Sequence, residues 1–103
     1  MKTVALVGDL MDRSRLEAAL GEVEFTSDPA AARGAARVIV DFARHGDAVA
    51  DVRAAAPSAF VVAFGPHEEE AAMADARAAG ADVALSRARF FRDPRSALEA
   101  PAP

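Results

Sequence analysis

Four polar side chains follow the ends of apolar runs in this 103-residue chain. Asp9, Asp41, His67 and Arg87 each close, or come just after, a run that is typical of a buried strand. The carboxyl ends of parallel strands meet at one edge of an open α/β sheet, where ligands bind, so we expect these groups to share a rim. Two neighbouring carboxylates would raise each other's pKa and attract a hard divalent cation. A nearby arginine would lower both pKa values and offset the role of a metal.

Each of these side chains also has a structural interpretation. Aspartate is common after strands because it caps the next helix, so Asp9 is open between a cap and a site residue. Asp41 is interpreted as a site residue rather than a structural one, because it lies inside the apolar run 38–42, where burying a carboxylate costs solvation free energy. His67 could simply cap the following helix, and His45 is interpreted as a loop residue.

Five strand-like runs alternate with helical segments and must position these side chains. The strands are expected at 3–7, 22–26, 38–42, 60–64 and 83–85. The first helix is expected to end before Gly21 and the second to begin at Pro29 and end at Arg33–Gly34, and the others are expected at 47–56, 67–79 and 95–100. Asp12 or Ser14 is the expected cap of the first helix, and 43–46 and 86–93 are expected loops.

This alternation predicts an α/β fold of the flavodoxin type, a five-stranded parallel sheet with helices on both faces. The second run is the only one that alternates polar and apolar residues, which places it at an edge and gives the strand order 2-1-3-4-5. Residues 1–98 are predicted to form one domain, and residues 99–103 a frayed tail.

Composition narrows the function classes. The chain has no cysteine, which excludes disulfides and thiolate metal sites. Its net charge is −4 and no basic stripe is evident in the sequence, so we expect no nucleic-acid partner. No apolar run approaches the roughly 20 residues of a membrane span, and no signal peptide is evident, so a cytoplasmic protein without membrane association is expected.

Three segments carry a resemblance to a known family: Lys2–Leu20, Val38–Asp41 and Ala79–Arg87. The last of them contains Ala-Gly-Ala-Asp directly before the fifth strand. The chain resembles the receiver domain of two-component response regulators over nearly its whole length. The resemblance implies that Asp41 matches the phospho-accepting aspartate. It also implies that Asp9 is the remaining half of the acidic pair that binds Mg²⁺ after strand 1.

The chain departs from the receiver pattern at the positions that carry out phosphorylation-dependent switching in that family. Gly8 precedes the single acid Asp9 where the family has two acids. Gly65 stands in place of a threonine or serine, and Arg87 in place of a lysine. His45 replaces a proline. These departures predict that ordinary phosphorylation-driven switching is lost.

Three functions follow from this pattern. The first is a stand-alone, non-enzymatic signalling protein that acts by binding a protein partner, or a second copy through the fourth helix and fifth strand. The second keeps phosphoryl acceptance by Asp41, with Mg²⁺ on Asp9 and Asp41 and Arg87 in place of the lysine. The third is a small metal-dependent hydrolase built on Asp9, Asp41 and His67. No cofactor is predicted beyond weakly bound Mg²⁺.

Overall fold

A five-stranded parallel sheet forms the centre of the molecule, in a computed structural model that describes residues 1–99. The strands are β1 Thr3–Leu6, β2 Glu24–Phe25, β3 Arg37–Asp41, β4 Phe60–Gly65 and β5 Val83–Ser86, in the order β2-β1-β3-β4-β5. The helices are α1 Leu10–Leu20, α2 Phe42–His45, α3 Val49–Ala55, α4 Glu70–Ala79, α5 Arg87–Arg92 and α6 Pro94–Ala97, with 3₁₀ turns at Pro29–Ala32 and Gly46–Ala48. The predicted fold class and strand order are confirmed, and most of the predicted tail lies outside the described residues.

Helices cover both faces of the sheet because the central strands are apolar on both sides. Along β1, Val4 and Leu6 pack into one layer, whereas Ala5 faces the other. The first layer holds α3 and α4, and the second holds α1, α5 and α6. Strand β2 is the exception, since Glu24 is exposed and Phe25 half-buried, as an edge strand requires. Within residues 1–99, no helix is long and apolar enough to cross a membrane.

Several helices differ from the sequence prediction. Helix α1 begins at Leu10, because Asp9 rather than Asp12 or Ser14 accepts the capping hydrogen bond, from the backbone N–H of Asp12 at 3.0 Å. Residues 43–45 of the predicted loop 43–46 are instead part of α2, which Asp41 caps, and Gly46 begins the following 3₁₀ turn. Helix α4 begins at Glu70, so the predicted start at residue 67 is wrong.

The predicted loop 86–93 is also wrong, because it contains α5. Ser86 caps this helix by accepting a hydrogen bond from the N–H of Arg89. Phe90 is fully buried and its ring stacks on Phe64 of β4, with 4.8 Å between centroids. A side chain that must bury this much apolar area fixes the segment against the sheet, which local sequence signals do not indicate.

The Ala-Gly-Ala-Asp segment has a structural role at the amino ends of β4 and β5. The Arg53 guanidinium contacts Asp82 at 2.7 Å and donates to the carbonyl oxygens of Gly80 and Ala59 at 2.8–2.9 Å. The same carboxylate of Asp82 accepts the N–H of Val61 at 2.8 Å. Gly80 has a φ of +129° and packs against the Arg53 side chain, so a larger residue there is strained. This part of the receiver resemblance therefore serves the fold.

Candidate functional site

The centre of the candidate site is an ion pair between α1 and α5. The guanidinium of Arg87 donates two parallel hydrogen bonds to the carboxylate of Asp12, at 2.7 Å and 2.9 Å. The Asp12 side chain is only 2% exposed, whereas that of Arg87 is 41% exposed. A bidentate arginine–carboxylate pair uses both carboxylate oxygens and fixes both side chains.

Local structure explains why these two residues meet. The Asp9 cap sets the first turn of α1, which turns Asp12 and Leu16 to the buried side of the helix. Arg87 is the first residue of α5, directly after β5. Its guanidinium also lies over the rings of Phe64 and Phe91, at 5.5 Å and 5.3 Å from the centroids.

The charges of three carboxylates act on this guanidinium. The pKa of Arg87 is raised above its ordinary value, chiefly by the hydrogen bonds to Asp12. Partial burial opposes the shift, and the charges of Asp12, Asp41 and Asp9 add to it. Arg87 therefore stays cationic at every physiological pH and neutralises charge at the rim.

The carboxylate of Asp9 is held in its ionised form. The pKa of Asp9 is lowered chiefly by the hydrogen bond from the backbone N–H of Asp12, and slight desolvation opposes this shift. The backbone N–H of Met11 and the charges of Arg87 and Arg44 lower the pKa further. Of the two roles that the sequence left open for Asp9, the structure shows the cap of α1, while its site role stays a prediction.

Asp41 closes β3 where the sequence predicted, but its carboxylate is nearly enclosed. The residue is 4% exposed, and its Oδ1 accepts a hydrogen bond from the N–H of Ala43 at 3.0 Å. This bond caps α2, so Asp41 helps to fix the turn that carries Phe42 back across the sheet.

The position of the missing hydroxyl is filled by an aromatic ring. A Cβ atom added to Gly65 would lie 2.8 Å from Cδ1 of Phe42 and closer still to Cε1 and Cζ. Phe42 is 6% exposed and belongs to the core layer of α3 and α4. A threonine or serine at residue 65 would therefore collide with the ring. Gly8 differs, because a Cβ atom there meets nothing within 4 Å.

The two histidines do not complete a site. The ring of His67 is 85% exposed and contacts Glu68 at 3.0 Å, and His45 is half-buried as the last residue of α2. Within residues 1–99, no three His, Asp or Glu side chains are grouped so that they could hold a metal ion. The trio expected for a metal-dependent hydrolase is therefore not assembled.

Asp12 is the site residue that the sequence analysis missed. It was considered only as a cap for α1, yet its carboxylate is the partner of Arg87. One signal could have revealed it: Asp12 lies four residues before Leu16, on the single buried face of α1. Of the expected group, Asp9 and Asp41 act on Arg87 through their charges, whereas its direct hydrogen-bond partner is Asp12.

The parallel sheet of order β2-β1-β3-β4-β5, with helices on both faces, is a CheY-like fold of the flavodoxin type. One solved structure with this fold is a CheY-like protein, tadZ, from Pseudomonas aeruginosa PAO1, with a TM-score of 0.70 and 19% identity over 85% of this chain and 87% of that one. Another is a putative pilus assembly protein, cpaE, from Burkholderia thailandensis E264, with a TM-score of 0.66 and 16% identity over 95% of both chains. No family profile and no curated protein matches the sequence.

Proposed function

We propose that this chain is a receiver-like signalling module that works by binding a protein partner in the cytoplasm, without enzymatic activity and without aspartyl phosphorylation. The observation that carries the proposal is the bidentate contact between Arg87 and the buried Asp12. A guanidinium fixed among three carboxylates supplies the positive charge that a receiver obtains from Mg²⁺ and lysine.

A divalent cation would have to compete with this ion pair. Both oxygens of Asp12 accept hydrogen bonds from Arg87, and one oxygen each of Asp9 and Asp41 caps a helix. Mg²⁺ demands near-octahedral oxygen ligands and gives up its water reluctantly. Binding at this rim would therefore require Arg87 to leave, which exposes a buried carboxylate without a partner.

Phosphoryl transfer to Asp41 meets a second obstacle. The attacking carboxylate must reach the phosphorus of a donor in line, yet Asp41 is 4% exposed and caps α2. No hydroxyl stands at Gly65 to bind the phosphoryl oxygens, since the ring of Phe42 fills that space. These contacts favour an interaction module over the alternative in which Asp41 is a phospho-acceptor.

The direct test is labelling with a small acyl phosphate in millimolar Mg²⁺, read by intact-protein mass spectrometry. We expect no added phosphoryl group on the wild-type chain or on Asp41→Asn. A phosphoryl adduct on the wild type that is absent from Asp41→Asn would overturn the proposal and establish the phospho-acceptor function. A conventional receiver treated in parallel controls for the activity of the donor.

A second copy of the chain is one partner to test. The receiver resemblance points to α4 and β5 as the contact surface, and α4 presents a small exposed face that includes Ala71, Ala74 and Ala78. A role within a larger protein assembly also fits the cpaE-like fold of a putative pilus assembly protein. Sedimentation velocity over a range of concentrations tests self-association, and Ala74→Glu should abolish it if α4 forms the contact.

A further inference from the structure

A groove runs between α1 and the α5–α6 segment, on the opposite face of the sheet from α4. Its lining residues are Arg15, Ala18 and Ala19 of α1, Phe91 of α5 and Pro94 of α6. We call this surface the α1–α6 groove. None of Asp9, Asp12 and Asp41 lines it, although the ring of Phe91 also contacts Arg87.

The groove is shallow and its floor is apolar, so aliphatic side chains of a ligand can pack against it. Ala18 is exposed and Ala19 half-buried, so the α1 wall presents two methyl groups beside Arg15. The opposite wall is the half-buried ring of Phe91. Arg15 and Arg87 lie over that ring, at 5.6 Å and 5.3 Å from its centroid, which holds it in place.

Basic residues lie in and next to the groove in sequence, although the whole chain has a net charge of −4: Arg15 lines it, and Arg92 and Arg95 each follow one of its lining residues. Residues 87–95 contain four arginines and one acid, and Arg89, Arg92 and Arg95 are exposed. The acid, Asp93, is engaged within α6, where its two oxygens accept from the N–H and hydroxyl of Ser96. The four arginines lie within nine consecutive residues, and the sequence analysis missed them when it found no basic stripe.

We propose that the α1–α6 groove binds an amphipathic, acidic helix of a protein partner. The inference rests on the proposed function, since it names the kind of partner that the module would bind. A helix with an aliphatic stripe can fill an apolar groove while its acidic residues meet the arginine rim. A membrane surface fits less well, because the groove is concave and offers no protruding large apolar side chain.

The probe is a synthetic helical peptide of about 15 residues, with leucines on one face and glutamates on the other. A peptide with lysine in place of every glutamate is the matched control. Titration is followed by the amide ¹H–¹⁵N spectrum of the intact chain. We expect saturable shifts at Ala18, Ala19 and Phe91 with the acidic peptide alone, and weaker binding at higher salt.

Two variants of the chain sharpen the test. Arg15→Glu reverses a charge in the groove and should weaken binding at least about fivefold. Arg77→Glu makes the same change on α4, on the other face of the sheet, and should leave the affinity unchanged. Ala18→Gln adds volume to the groove without charge and should also weaken binding.

Other outcomes would overturn the inference. These are absent shifts, equal shifts with the lysine peptide, groove shifts produced by raising the concentration of the chain alone, or stronger binding to phosphatidylserine vesicles. The Mg²⁺ and acyl phosphate experiments probe Asp9, Asp12 and Asp41, none of which lines the groove. A failure of the peptide titration with no phosphorylation would therefore reject the groove and leave the proposed function standing.

Discussion

Replacing Gly65 with alanine tests whether the ring of Phe42 has taken the space of the missing hydroxyl. Gly8→Ala is the matched control, because both glycines follow or close a strand at the same edge of the sheet and neither has a positive φ. The added methyl group meets open space at residue 8 and three ring atoms at residue 65. We expect Gly65→Ala to destabilise the fold and Gly8→Ala to leave it unchanged or slightly more stable.

The magnitude follows from the distances. Non-bonded carbon atoms prefer about 3.5–4.0 Å, so a methyl carbon 2.8 Å from Cδ1 and closer to two other atoms of Phe42 requires the ring to withdraw by about 1 Å. Phe42 is packed in the core, and overpacking of this kind costs about 1–3 kcal/mol. Losing a glycine returns about 0.4–1 kcal/mol through the unfolded state. The net expectation is about 1–2 kcal/mol of lost stability at residue 65.

Urea unfolding followed by circular dichroism measures the difference in unfolding free energy between the two variants. In thermal unfolding, a loss of 1–2 kcal/mol should lower Tm by roughly 5–12 °C. The double variant Phe42→Leu, Gly65→Ala should be more stable than the sum of the two single changes predicts, because the smaller side chain relieves the collision. Equal stability of Gly65→Ala and Gly8→Ala would refute the reasoning, because the ring of Phe42 would then leave room for a side chain at residue 65.

Three further changes probe the ion pair, the cap and the motif at the other end of the sheet. Arg87→Met leaves the buried carboxylate of Asp12 without a partner and should cost about 2–3 kcal/mol in urea unfolding, whereas adding Asp12→Leu should recover most of the loss. The pKa of Asp9 is lowered in the folded state, so its ionised carboxylate stabilises the fold fully above about pH 4. This stabilisation is lost as the pH falls through the pKa of Asp9 in the folded protein. The unfolding free energy of Asp9→Asn should therefore fall less steeply at acid pH than that of the wild type. Arg53→Lys cannot reproduce the hydrogen bonds to several carbonyls and should lower the unfolding free energy by about 2 kcal/mol, while the charge-matched Arg77→Lys should not.

The sheet could be predicted from the sequence because hydrophobic burial dictates it directly. Runs that are apolar on both faces must lie inside a parallel sheet, and the alternating run 22–26 can only lie at an edge. The strand order alone predicts that Asp9, Asp41 and Arg87 lie at the same edge of the sheet, and the charges of Asp9 and Asp41 contribute to the raised pKa of Arg87. The sheet and its strand order could be predicted because they depend on the hydrophobic periodicity of short segments and on general rules of topology.

The contacts that decide the chemistry could not be predicted, because they depend on small shifts of helix starts. Asp9 and Asp12 can each cap α1, and only the choice of Asp9 turns Asp12 toward Arg87. The placement of Phe42 over Gly65 depends on α2 beginning directly at the end of β3. Tertiary packing settles both choices, and no nearby residue signals them.

A Mg²⁺ titration followed by the amide ¹H–¹⁵N spectrum, without and then with beryllofluoride, tests the central claim most directly. Arg87→Lys is the matched variant, since lysine keeps the charge but cannot make the bidentate contact. The account predicts no shifts at the amides of Asp9, Asp12 and Asp41 in the wild type at millimolar Mg²⁺, and shifts at those amides in Arg87→Lys. Saturable shifts in the wild type that Asp41→Asn abolishes would contradict it, because the rim would then bind cation and phosphoryl mimic with Arg87 in place.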